Sequence, residues 1–510
     1  MTSSHLHRWR IRLLPCIVLP VSACTASSGP SVAGNAAAEV RPTETSTEVE
    51  RAQALLDARY KAADVRYSFR TRAGADIDCV DFYAQPGVRA LAARGEPIDA
   101  LPTPPPAPPA RRVAEAVASR PEDDLTFHGQ PDVNGRSEEC PAGSVPTVRI
   151  TAEEIVIKGG LSGSASGLQK RPPPNTASLP PSLSDLADFA HVIASVEVPT
   201  ESGSPLVSSS ITFAEDTMAV YGPALPNVVP DHSLSQVWLT SGSNFGTTAS
   251  PCTSDCIQSI EVGWTVDNDL VLGNTSTPHL FLFSTNNGYE TGCYDDISVW
   301  NGYSTPCTPW VGYSGAPTAW NNPITFAAPG QTPTELNVQI ELYGGNYWVY
   351  VQIGTAAGGW MGYFPGTNFS APMNQFQIGG EVEDTTNQFA GTGIPMGSAN
   401  PSTAGYEWAA YHRNYSASWV DGSGNTSSTS AASILATRSH DYTYSSNAGP
   451  ATWSTYFFYG GTPPQTCVPS TCASLDAVCG SPYDGCGNAL SCGTCGPRES
   501  CGITVCRKLL

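Results

Sequence analysis

The feature that most limits how this chain can fold is a set of short segments, between residues 191 and 460, in which apolar and polar side chains alternate. Ser259-Ile260-Glu261-Val262-Gly263-Trp264-Thr265-Val266 has this pattern, as do the runs Glu335 to Leu342 and Phe376 to Val382. A period of two residues sends alternate side chains to opposite faces of a strand, whereas a helix would need a period near 3.6. Tyr343-Gly344-Gly345-Asn346-Tyr347-Trp348 places a Gly-Gly turn between two such runs, which predicts a hairpin. With one apolar face each, the strands are expected to form antiparallel sheets whose other face meets solvent or a ligand. Two stacked sheets, an antiparallel β-sandwich, bury such faces. The 48 Gly, 44 Pro and only 14% charged residues exclude a helical bundle or coiled coil.

The start of the chain bears on compartment. Arg8, Arg10 and Arg12 precede an apolar stretch, Leu13 to Ala23, of the length of a signal-peptide core and too short to span a bilayer. It ends Val21-Ser22-Ala23-Cys24, similar to a bacterial lipobox in which Cys24 becomes lipidated; ordinary cleavage near Ala23 is the alternative. The chain is therefore expected to be exported, extracellular or lipid-anchored at a bacterial cell envelope, with Cys24 the only expected membrane attachment. A net charge of −20 repels nucleic acid and anionic membrane surfaces.

Composition shifts divide the chain into a signal (1–24), a tether (25–48), a small α+β domain (49–158), a linker (159–190), the sandwich (191–460) and a Cys-rich tail (467–506). In the small domain, Val49 to Tyr60 predicts a short helix, Asp76 to Pro86 a strand running into a loop, and Val148 to Thr151 a further alternating run, with a Pro-rich break at Leu101 to Pro109. The segment Gly159 to Ser184, with Lys170-Arg171, has the Gly, Ser and Pro content of an exposed connector that a protease would cut.

Apart from Cys16 and Cys24, the cysteines fall in even groups: Cys79 with Cys140; Cys252, Cys256, Cys293 and Cys307; and eight between Cys467 and Cys506. Even numbers per domain predict disulfides formed in an oxidising compartment. The tail has almost no apolar core and must be held by its cysteines, serving either as a stability knot or as a contact with a surface or polymer. Cys492-Gly493-Thr494-Cys495 is the one C-x-x-C, and there is no H-E-x-x-H, so neither a metal nor another cofactor is expected.

Two carboxylates stand out by position. In the first alternating run Ile260, Val262, Trp264 and Val266 share a face, which puts Glu261 on the opposite one with Gly263. In the last, Phe376, Ile378, Gly380 and Val382 share a face, which puts Glu381 opposite with Gln377 and Gly379. Each Glu lies mid-strand on a polar face beside glycines that leave room for a ligand. A single such Glu is usually a solvated surface residue; two on one face could be catalytic. No G-x-S-x-G elbow supports a serine nucleophile, and His191, His232, His279 and His412 are scattered, as structural or solvent-facing histidines are.

Several segments together resemble the neprosin family of glutamic peptidases: Ser233-Leu234-Ser235-Gln236-Val237-Trp238-Leu239, Ser259 to Trp264, Gly288-Tyr289-Glu290-Thr291-Gly292-Cys293-Tyr294, Gly362-Tyr363-Phe364-Pro365 and Gly379-Gly380-Glu381-Val382. Upstream, Asp78-Cys79-Val80-Asp81 to Gln85-Pro86 and Cys140 to Pro146 resemble that family's activation peptide. The resemblance implies an endopeptidase made as a zymogen, with Glu261 and Glu381 as the catalytic pair, Gln236 and Trp238 as candidates for the substrate groove, and a peptide or protein substrate cleaved at proline. It also implies that residues up to about 185 cover the groove until acid triggers cleavage in the linker. Two carboxyls close enough to share a proton titrate in separate steps, so one can activate water while the other donates a proton, at acidic pH. The segment Cys293 to Cys307, longer than the family's loop, and the Pro-rich insertion depart from the plant members. A glycoside hydrolase with paired carboxylates, or a glycan-binding sandwich using Trp238, Trp264, Trp348 and Tyr363, are the alternatives.

Overall fold

The computed structural model describes most of residues 49–106 and 131–152, Phe127, most of 189–462 except chiefly 199–208, 226–231, 246–251, 268–275, 299–308 and 385–392, and short pieces from 471 onward. The signal, the tether, Cys24 and the linker up to residue 188 lie outside the described residues.

The small domain is a three-stranded antiparallel sheet of β1 (Val65–Arg70), β2 (Asp76–Asp81) and β3 (Ser144–Val148), with β2 central. The described residues between 49 and 59 are helical, as expected. After β2, a 3-10 turn leads into helix α1 (Pro86–Ala93) rather than a loop; Pro86 sits at the first helical turn, where its missing N–H costs nothing. The strand near residue 148 ends at Val148 instead of running on to Thr151. The Cys79–Cys140 disulfide closes the domain.

The following strands are, in chain order, β4 (Phe189–Val196), β5 (Ser210–Val220), β6 (His232–Ser241), β7 (Gln258–Asp267), β8 (His279–Thr285), β9 (Cys293–Tyr294), β10 (Ile297–Ser298) and β11 (Val311–Gly312). They continue with β12 (Thr334–Tyr343), β13 (Asn346–Ile353), β14 (Gly359–Pro365), β15 (Gln375–Glu383), β16 (Ala410–Val420), β17 (Thr426–Thr429), β18 (Ala432–Ala436), β19 (Thr443–Ser445) and β20 (Tyr456–Gly460). One sheet runs β10-β9-β8-β7-β6-β15-β4-β18 and the other β11-β14-β13-β12-β5-β16-β20-β19, with β17 on β16. The sandwich thus begins at Phe189, two residues before the expected boundary, and its last strand ends at Gly460. In the tail, β21 (Glu499–Gly502) pairs with β22 (Val505–Lys508).

The expected alternation builds the core. Ile260, Val262, Trp264 and Val266 of β7 meet Leu336, Val338 and Ile340 of β12 and Val349 and Val351 of β13 in one buried cluster. Trp264 keeps its indole N–H satisfied by donating to the Ala219 carbonyl at 2.9 Å. The β12–β13 hairpin turns at Gly344 and Gly345, whose φ values of 58° and 80° are those a tight two-residue hairpin turn requires.

The polar faces differ from expectation. All ten residues of both β6 and β7 are buried, so in these two strands the face opposite the core does not meet solvent. Cys252–Cys256 and Cys472–Cys492 are disulfides, and Cys293 is disulfide-bonded; Cys307 lies outside the described residues. Among the described residues, no helix is long and apolar enough to cross a membrane.

The small domain docks on the second sheet. Phe82, Val88, Leu91 and Val145 pack against Val311, Trp348, Trp360 and Tyr363. Trp348 alternates with the core residues Tyr347 and Val349, so this is the face of the second sheet turned away from the first. These docked residues therefore lie away from Glu261 and Glu381; residues 153–185 of the expected cover lie outside the described residues.

Candidate active site

Strand register sets out the first sheet's outer face as rows across β4, β15, β6 and β7. One row is Phe189, Glu383, His232 and Asp267; the next is His191, Glu381, Leu234 and Thr265. Then come Ile193, Gly379, Gln236 and Gly263, and finally Ser195, Gln377, Trp238 and Glu261. Glu261 and Glu381 thus lie on the two neighbours of β6, offset along it by the interval from Leu234 to Trp238. They flank, from opposite sides, a row whose only long polar side chain is Gln236. Both are 0% exposed.

The glycines of that row serve the backbone first. A Cβ at Gly263 would lie 1.9 Å from the Ser235 carbonyl oxygen, and one at Gly379 2.0 Å from that of Val192. Close strand approach therefore demands glycine at both positions, and a side-chain-free strip on either side of Gln236 follows.

Glu381 is held from three sides. The His232 Nε2 lies 2.9 Å from its Oε1, the His191 Nε2 3.2 Å from its Oε2, and the Gln236 amide donates to Oε2 at 3.3 Å. The other ring nitrogen of His232 faces Glu383 Oε2 at 3.1 Å. Burial alone would lower the His232 pKa, but hydrogen bonds to Glu381 and Glu383 outweigh it and lift it to about 10. Burial raises Glu383 to about 8, against the opposing pull of His232.

Glu261 sits in a different setting. Its Oε1 accepts from the Ser259 hydroxyl at 2.8 Å and from the Tyr289 hydroxyl. Burial and then the Glu261 charge push the Tyr289 pKa up, so that hydroxyl stays protonated as a donor. Tyr294 is pushed up by burial and then by Asp267, Glu381, Glu261 and Glu383, which places both glutamates in one electrostatic neighbourhood. Leu234, Phe281, Phe283, Tyr289 and Tyr294 form an apolar cluster on this face.

The structure thus brings Glu261, Glu381, Gln236 and Trp238 to one face. It also adds His191, His232, Glu383 and Tyr289, which sequence reasoning did not select. Glu383 was within reach of the alternation argument, being two residues from Glu381; the histidines were not, because only strand pairing brings them there. Behind the site, in the sandwich interior, Ser235 Oγ lies 3.1 Å from His412 Nε2, and His412 Nδ1 lies 2.6 Å from Asp216 Oδ2, all fully buried. Among the described residues, no group of three or more His, Cys, Asp or Glu is arranged to hold a metal ion.

The fold and site define an antiparallel β-sandwich protein with a buried acidic site on one sheet. Residues 229–462, which contain both Glu261 and Glu381, match the Neprosin family model. That match supports a peptidase-type function. Among solved structures, the crystal structure of alginate lyase vAL-1 from Chlorella virus is 9% identical, with 38% of this chain and 84% of that one covered and a TM-score of 0.13, too low to carry an argument.

Proposed function

We infer that the protein is an exported glutamic endopeptidase, made as a latent precursor, that hydrolyses peptide bonds at acidic pH. The observation that carries this reading is the placement of Glu261 and Glu381 on either side of the Gly379–Gln236–Gly263 row. A peptide lying in that strip would present its scissile carbonyl between the two carboxyls. Glu381, surrounded by donors, is the general base that takes a proton from water as it attacks the carbonyl carbon. Glu261, whose Oε1 already accepts from Ser259 and Tyr289, is the acid: its proton stabilises the developing oxyanion and then passes to the leaving nitrogen. Gln236 orients the base and lines the strip, and Trp238, across the strand from Glu261, borders the substrate.

Latency fits the burial of both carboxylates, since neither can meet a peptide until the site opens. Cleavage between Gly159 and Ser184 after acidification, lipidation at Cys24, a preference for proline and a surface-binding role for the tail belong to the same proposal, and rest on sequence.

The test is mass spectrometry of a proline-containing peptide library digested by acid-treated protein, beside Glu261→Gln and Glu381→Gln. Each substitution is expected to lower the rate by about 10²–10⁴-fold or more. Undiminished peptide cleavage by either variant, or release of sugars instead of peptides, overturns the reading.

A further inference from the structure

His232 Nε2 is hydrogen-bonded to Glu381 Oε1 at 2.9 Å, and its Nδ1 lies 3.1 Å from Glu383 Oε2, an ion-pair distance without hydrogen-bond geometry. A neutral imidazole has one N–H and turns a proton toward only one of these carboxyls; an imidazolium turns an N–H and its positive charge toward both. Glu381 also accepts from Gln236 and faces His191 through its other oxygen, an acceptor's surroundings rather than an acid's. Resting on the assignment of Glu381 as the base, we propose that His232, held by Glu383, is a positioning residue that keeps Glu381 ionised and aimed at the Gln236 row.

The groups around His232 agree. On β15 it faces Glu381 and Glu383, and on β7 its cross-strand neighbour is Asp267. On β4 the Phe189 ring is 6.2 Å away and His191 contacts the same Glu381. Tyr294 contributes a neutral hydroxyl. Three acidic groups near two imidazoles favour the protonated ring, and burial favours the arrangement with least net charge: a Glu381 carboxylate, a His232 imidazolium and a neutral Glu383. The raised values of His232 and Glu383 support that inventory. The outcome is a base that remains deprotonated in acid, where an ordinary buried glutamate would hold its proton.

The experiment compares pH–rate profiles of the acid-treated protein with those of His232→Gln, Glu383→Ala and Glu383→Gln. Removing the imidazolium is expected to move the acidic limb of kcat/KM upward by about one pH unit or more, a tenfold loss on that limb, with KM little changed. Glu383→Ala shifts the limb the same way, and Glu383→Gln, which keeps an acceptor for Nδ1–H, restores most of it. An unshifted profile for a folded His232→Gln overturns the proposal. Glu381→Gln separates the two readings: if it retains activity, the assignment of the base fails; if it is inactive while His232→Gln behaves as wild type, only the role of His232 fails. Should His232→Gln not fold, nitrogen NMR of the wild-type precursor decides, since two protonated ring nitrogens at mildly acidic pH support the proposal and a neutral tautomer overturns it.

Discussion

Gln85 and Gly312, in different domains, are joined twice through one side chain: the Gly312 N–H donates to Gln85 Oε1 at 2.7 Å, and Gln85 Nε2 donates to the Gly312 carbonyl at 3.3 Å. The amide thereby extends the edge of the second sheet as a short piece of strand would. Gln85 is buried here, between α1 and β11. Gln85→Ala would leave a buried N–H and carbonyl unsatisfied, and is expected to weaken docking of the small domain by about 1–3 kcal/mol. The check is the urea midpoint at which the Trp348 and Trp360 environment changes, which should fall in the variant.

Stability should decline as pH rises. Glu383, raised by burial from 4.5 to about 8, binds its proton more tightly folded than unfolded, so its contribution is complete below about 4.5 and is lost by about 8. His232, lifted from 6.5 to about 10 by its carboxyl partners against its own burial, contributes fully below about 6.5 and loses that contribution as pH passes about 10. Both act in the same direction. Thermal melts of the precursor from mildly acidic to alkaline pH should show a falling Tm, and Glu383→Gln should flatten the fall.

Gly263 tests the strand spacing on which the site depends. Its missing Cβ would meet the Ser235 carbonyl oxygen at 1.9 Å, and that contact is backbone, which cannot rotate away. Gly263→Ala should destabilise the sandwich by about 1–3 kcal/mol and lower activity by moving Glu261 relative to Gln236. A variant with wild-type melting temperature and rate would show that the spacing is not critical.

The Ser235–His412–Asp216 chain has the connectivity of a hydrolase triad but lies sealed between the sheets, where no substrate reaches it. It is expected to be structural. Ser235→Ala should retain peptidase activity, and a serine-directed phosphonate should not label the protein. Asp216→Ala, which strips a buried partner from His412, should cost about 3–5 kcal/mol of stability. Labelling of Ser235 would reverse this assignment.

Much of the sandwich was legible because alternation is local: a strand's period sorts its own side chains to two faces, and in β7 and β15 that sufficed to set Glu261 and Glu381 opposite the core. Helix α1 was missed because a Pro after a strand reads equally well as a loop, and its packing on Trp348 and Trp360 favours the helix. Glu383 was readable from the same parity as Glu381.

Alternation within each strand thus sets which way each side chain points, and the kind of residue that points there. The neighbours come from the pairing of distant strands: β6 runs between β7 and β15, Gln236 lies between the glutamates, and His191 and His232 converge on Glu381. Direction follows from the geometry of a single strand, whereas register depends on which distant strands pair and how their faces pack, and no local pattern carries that information.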